Sequence, residues 1–264
     1  MVIQVVQADP GRCPASSGFL LAWAENALRG DLAGIDPGTY EIFGQGSRVN
    51  GTHLDHTADI DLVLMLRQPL RYGWEQFRDD VLAELGESHL VRMGRRCLNV
   101  DDPDSLFGEM VDVLVATEFR WFPVPGDSHY EQGVFFRDQE GRPIVNFPKQ
   151  HRRNGDAKDL RTGGRFKQAV RAAKRARREH LVEVGDVPPY LIECLLFNVP
   201  DRVYIAGVAD HQDAVAWLRR ALRDDPAAFA ALPCQNGINR IFGPGPDQWA
   251  PGAAARIIDV LQQI

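Results

Sequence analysis

One segment restricts the fold more than any other: Asp59-Ile60-Asp61-Leu62-Val63-Leu64-Met65-Leu66. Its apolar run is short, rich in strand formers and nearly unbroken, which predicts a strand buried on both faces of a sheet. Residues i and i+2 of a strand point to the same side, so Asp59 and Asp61 project their carboxylates together at one end of this strand. Adjacent like charges are unfavourable unless a cation bridges them. The segment therefore predicts both a buried strand and an acidic mouth.

Strand formers at 39–44 (TYEIFG) predict a second strand, which runs into the glycine-rich GQGSRVNG. An amphipathic helix is predicted over 17–30 and another over 73–86. Alternating segments follow at 89–99 and 107–117, and the pair 133–136 and 143–146, separated by DQEG, reads as a hairpin. From Pro148 onward helical periodicity takes over, at 163–181, 188–199, 210–223 and 251–263. These patterns predict an α+β chain in two parts: a mixed-sheet core over residues 1–147 with an N-terminal helix, and a helical domain over 148–264 closing a cleft against it.

The composition is that of an ordinary globular protein of 264 residues. Its longest apolar runs, near Val2–Val6 and Leu191–Val199, fall well below the roughly 20 residues of a membrane helix. The N-terminus carries no secretory pattern, so a cytoplasmic protein with no membrane partner is expected. Cys13, Cys97, Cys194 and Cys234 are widely spaced and read as free thiols rather than a metal or disulfide framework.

Charge is distributed unevenly. Residues 149–178 hold twelve basic and two acidic side chains, a +10 window in a chain of net charge −6. Such asymmetry points to a local anion site on an acidic body. On a helical wheel Phe166, Ala169, Val170 and Ala173 share one face, while Lys167, Arg171, Lys174 and Arg178 form an adjacent stripe that would line a groove between elements.

The chemistry-bearing constellation is Gly46-Ser47 between a strand and a predicted helix, then Asp59 and Asp61, then Asp112 in the apolar strand VDVLVA. Glycine allows close backbone approach to a phosphate, and exposed amides with the Ser47 hydroxyl can hydrogen-bond phosphoryl oxygens. Three carboxylates offer hard oxygen ligands suited to Mg²⁺ or Mn²⁺, able to hold two ions about 3.5–4 Å apart. His53, His56 and His151, with Tyr190 and Phe197, are expected to be loop or scaffold residues.

GQGSRVNGT, DIDLVL and VDVLVA together resemble the signature of the DNA polymerase β-like nucleotidyltransferases. The second block, FPKQHRRNGDAKDLRTGGRFKQAVRAAKRAR followed by YLIECLLFNVPD, resembles the bacterial cGAS/DncV-like nucleotidyltransferases, the CD-NTases, and the likeness as a whole runs over residues 40–205. The resemblance implies synthesis of a cyclic di- or oligonucleotide second messenger from NTPs in anti-phage defence, with an effector protein engaged only through the product. It implies metal binding by Asp59, Asp61 and Asp112, with triphosphate contacts from Gly46 and Ser47. Lys167, Arg171 and Lys174 would contact nucleotide phosphates. Two other readings remain at this level: a transferase that adds nucleotides to RNA, and a catalytically silent nucleotide-binding sensor.

Overall fold

The computed structural model describes residues 16–54, 59–101, 111–185, 187–206 and 211–262. The first part contains helix α1 (Ser16–Asp31), strand β1 (Tyr40–Gln45), the short helix α2 (Gly46–Asn50), β2 (Ile60–Leu66), α3 (Trp74–Gly86), β3 (Leu90–Met93), β4 (Leu98–Asp101), β5 (Val111–Trp121), β6 (Glu131–Arg137) and β7 (Pro143–Asn146). After it come α4 (Pro148–Arg161), α5 (Arg165–Glu179), α6 (Leu181–Val184), α7 (Pro189–Phe197), α8 (Asp201–Ala206), α9 (Gln212–Asp224), α10 (Pro226–Ala230) and α11 (Pro251–Gln262). The architecture is α+β: one mixed seven-stranded sheet, then helices. His56 and Cys13 lie outside the described residues.

The sheet order is β1-β2-β5-β4-β3, with β6 joined to the far half of β5 and β7 to β6. Strand β2 runs parallel to β5 and antiparallel to β1. Its apolar run is explained by its two covered faces. Ile60, Leu62, Leu64 and Leu66 pack with Ala24 and Leu28 of α1 and Phe77 and Val81 of α3, while Val63 and Met65 pack with Trp74, Val134 and Phe136. A third cluster, drawn entirely from residues between Phe166 and Leu261, forms the interior of the helical part.

Two expectations differ from the structure. The segment 89–99 is a hairpin, because Gly94 and the two arginines after it turn the chain, with Gly94 N–H donating to Cys97 O at 2.8 Å. Helix α4 was not foreseen: its sequence, PKQHRRNGDAKDLR, is polar throughout and has no apolar stripe. It is held by buried polar groups instead. Lys158 donates to Val199 O and to Asp201 Oδ1, both at 2.7 Å, and Gln150 donates to Glu131 Oε2 at 2.8 Å.

Trp74, the first residue of α3, fills a break in the ladder. β5 leaves β4 after Val113 and joins β6 at Thr117, and the Trp74 indole N–H donates to the Val115 carbonyl in that gap at 2.8 Å. Trp74→Phe leaves this buried carbonyl unpaired and is expected to cost about 1–3 kcal/mol. Urea denaturation would show it as a lower midpoint at unchanged slope.

Candidate active site

The register of three strand pairs builds one polar rung across the sheet. Gln45 of β1 faces Asp61 of β2, Asp61 faces Asp112 of β5, and Asp112 faces Asn99 of β4. Residues in register on neighbouring strands project to the same face, so two carboxylates stand side by side between two amides. Asp59 sits one residue before β2, is exposed, and adds its charge to the same pair.

The electrostatics show a surplus of negative charge. Burial and then the Asp112 and Asp59 carboxylates push the Asp61 pKa from its ordinary 3.8 up to about 7, against the opposing pull of Lys174 and Arg48. Burial and the same Asp112 charge push the Cys97 thiol up to about 12. Among the described residues no group of three His, Cys, Asp or Glu side chains is placed to hold a metal ion by itself. Two adjacent carboxylates with a third at the mouth fit a hard divalent cation that completes its shell with water and substrate oxygens.

Gly46 is fixed by this arrangement twice over. Its φ is +73°, the left-handed region, and a Cβ there would overlap Oδ2 of Asp61. The turn carrying Gly46 and Ser47 therefore lies directly against the acidic rung. Ser47 is half-buried in the first turn of α2, and its carbonyl accepts from Thr52 N–H at 2.9 Å. Arg48 of the same helix is buried and acts electrostatically on Asp61.

Helix α5 buries Phe166, Ala169, Val170 and Ala173, as its periodicity predicts. Its basic stripe reaches across to the end of α2. Arg171 Nη1 donates to Gly51 O at 2.7 Å, and Lys174 Nζ donates to Thr52 Oγ1 at 2.9 Å and Thr52 O at 3.3 Å. Lys167 pairs with Asp156 beside Gly51. Lys174, expected at a nucleotide phosphate, is buried and forms a short ion pair with Glu193 of α7. Burial would raise the Glu193 pKa, but the Lys174 ammonium and the His151 imidazole hold it well below the carboxylate range.

Glu193 is the functional-site support that the sequence reading missed. It accepts from Thr52 Oγ1 at 2.6 Å and from His151 Nε2 at 2.9 Å. The available signal was one acid inside the apolar YLIECLLF, where an unpaired carboxylate would be costly. Asn99 and Gln45 were also missed, since nothing local marks them. His151 and Tyr190 stack at 5.1 Å and Phe197 packs on Phe166, as scaffold residues.

Carboxylates paired on a sheet face, a glycine turn pressed against them and a cationic helix beyond are the parts that a nucleotidyl-transferring site requires. A family model described as the cGAS/DncV-like nucleotidyltransferase C-terminal helical domain matches residues 153–264. The cyclic UMP-AMP synthase of Rhodothermus marinus is 32% identical over 255 residues, covering 86% of this chain and 85% of that protein. A cyclic dipyrimidine nucleotide synthase, CdnE, of Cecembia lonarensis is 30% identical over 191 residues, covering 62% and 63%. The structure of Rhodothermus marinus CdnE c-UMP-AMP synthase with Apcpp and Upnpp superposes with a TM-score of 0.78 at 28% identity, covering 97% of this chain and 92% of that one. This chain belongs to the cGAS/DncV-like nucleotidyltransferases and is an enzyme of the cyclic-nucleotide synthase type.

Two outcomes follow from the charges. A raised carboxylate pKa withdraws stability as pH climbs from the unfolded value to the folded one. Metal-free protein is therefore expected to lose the Asp61 contribution between pH about 4 and about 7, and Asp61→Asn to melt higher than wild type above that range in EDTA. Glu193 has the opposite sign: its contribution is present above its ordinary 4.5 and is lost on acidification. Lys174→Met and Glu193→Leu should each cost about 3–5 kcal/mol. The double variant should lose less than their sum in a denaturation cycle.

Proposed function

We propose that the acidic rung joins two nucleoside triphosphates, a ribose hydroxyl oxygen of one attacking the α-phosphorus of the other with departure of pyrophosphate. A second transfer between the same partners closes a cyclic dinucleotide. The observation that carries this reading is the in-register Asp61–Asp112 pair lying against the Gly46 turn. Asp59, Asp61 and Asp112 would hold Mg²⁺ or Mn²⁺, which when bound polarises phosphoryl oxygens and lowers the pKa of the attacking hydroxyl.

The chain's own groups do the positioning. The Gly46-Ser47 turn brings backbone and hydroxyl against the triphosphate, close to the carboxylates rather than beyond them. Arg171 and Lys167 flank the loop that follows α2 and offset phosphate charge from the helical side. Lys174 acts through Thr52, holding that loop against α5 and α7 instead of meeting phosphate itself. The relatives named for cyclic UMP-AMP and dipyrimidine products support a product containing at least one pyrimidine.

A nucleotide partner is favoured over an RNA backbone by how the +10 window is spent. Lys149 pairs with Glu41, Arg152 with Asp156, Arg153 with Glu131, and Lys158 and Arg161 with Asp201. Five of the window's twelve cations are thus tied to carboxylates of the chain itself. Among the described residues no helix is long and apolar enough to cross a membrane. The reading places the activity in the cytoplasm, in anti-phage defence, with any effector reached through the diffusible product alone.

Mass spectrometry after incubation with all four NTPs and Mg²⁺ tests the proposal, which expects a phosphatase-resistant cyclic dinucleotide and pyrophosphate with no RNA added. Asp59→Asn and Asp61→Asn remove several kcal/mol of charge stabilisation, so turnover is expected to drop about 10³-fold or more while the protein stays folded. An Asp61→Asn protein with wild-type turnover would exclude the assigned role.

A further inference from the structure

Asn99 stands at the end of the rung, next to Asp112 and three strands away from the Gly46 turn. It belongs to β4, which meets β5 through Leu98, Asn99 and Val100 opposite Val113, Asp112 and Val111. Its side-chain amide donates a short hydrogen bond to Oδ1 of Asp112. The same nitrogen is 3.7 Å from the Cys97 sulfur.

The orientation of this amide is built in. Its oxygen lies over Gly94 in the turn of the β3–β4 hairpin, where a Cβ would come within 2.6 Å of Asn99 Oδ1 and 3.0 Å of Cys97 O. The oxygen occupies the space that a side chain at 94 would need. With the oxygen over the glycine, the NH₂ group is the end that faces the carboxylate.

We infer that Asn99 is a positioning residue for the transfer reaction: by tying down Oδ1 of Asp112 it directs the other carboxylate oxygen toward the ion shared with Asp61. This inference rests on the assignment of Asp112 as a metal-holding acid. The residue type suits the task. A neutral donor orients a carboxylate and leaves its full charge for a cation, whereas Lys or Arg at 99 would neutralise Asp112 and compete with the metal. A third carboxylate there would add to the repulsion that already raises Asp61. Partners of this kind fix the geometry of a ligand, and their loss typically weakens metal affinity or activity about 10- to 100-fold.

The full-length protein is titrated with Mn²⁺ alone, bound ion being read from the loss of the free-ion electron paramagnetic resonance signal, for wild type, Asp112→Asn, Asn99→Leu and Asn99→Gln. Asn99→Leu keeps the approximate shape without a donor, and is expected to bind Mn²⁺ about 10- to 100-fold more weakly. Asn99→Gln retains an amide donor on a longer arm and is expected to recover part of that affinity. The half-saturating Mg²⁺ for product formation should rise in the same order, with less change in the rate at saturating metal. Melting curves in EDTA confirm that each variant is folded, and Asn99→Ala replaces Asn99→Leu if the latter is not. Wild-type Mn²⁺ affinity in Asn99→Leu, alongside a loss in Asp112→Asn, overturns the role of Asn99 and leaves the metal assignment standing. Unchanged affinity in Asp112→Asn overturns both. Equal weakening in Asn99→Leu and Asn99→Gln overturns the claim that the amide donor carries the effect.

Discussion

The parallel pairing of β2 with β5 places Asp61 and Asp112 in register, two carboxylates side by side on a partly buried sheet face. Protein interiors avoid this juxtaposition, and here it is sustained by the apolar packing of both faces of β2 immediately beyond it. The carboxylates are held where they repel because the strands cannot slip: a shift of one residue would turn Leu62 and Leu64 to the wrong face. Stability stored in the sheet thus offsets an electrostatic strain that a divalent cation would relieve. Gly46 is glycine because that rung leaves no room for a side chain.

A second buried charge site joins the sheet to the helices. Glu193 on α7 gathers Lys174 from α5, His151 from α4 and Thr52 from the segment after α2. Each group brought there alone would be a desolvated charge or an unpaired donor, and together Glu193, Lys174, Thr52 and His151 Nε2 pair with one another. The segment bearing Gly46 and Ser47 is consequently gripped from the helical side while its start rests on Asp61. That double attachment makes the position of the turn depend on both halves of the chain.

The buried strand at 60–66, the acids at 59 and 61 and the apolar face of α5 were readable because each is a local repeat, of period 2 or 3.6, written in consecutive residues. Helix α4 was not, since its contacts are polar and distant and its own sequence has no stripe. The basic stripe of α5 is legible in the sequence as a face, whereas the burial of Lys174 is not. Periodicity gives the direction of a side chain and is silent about the acid it meets. Asn99 lies in a four-residue strand whose importance is only that it borders Asp112.

From the chain alone it follows that a two-sided buried strand opens on a pair of same-face carboxylates, that a Gly-Ser turn precedes it, and that helices dominate after residue 147. These are consequences of backbone geometry within a few residues. The meeting of Asp61 with Asp112, the closure of Asn99 on that pair and the capture of Lys174 by Glu193 were decided by the tertiary structure. Strand register and buried ion pairing depend on the summed packing and desolvation of segments far apart in sequence, and no local pattern carries that sum.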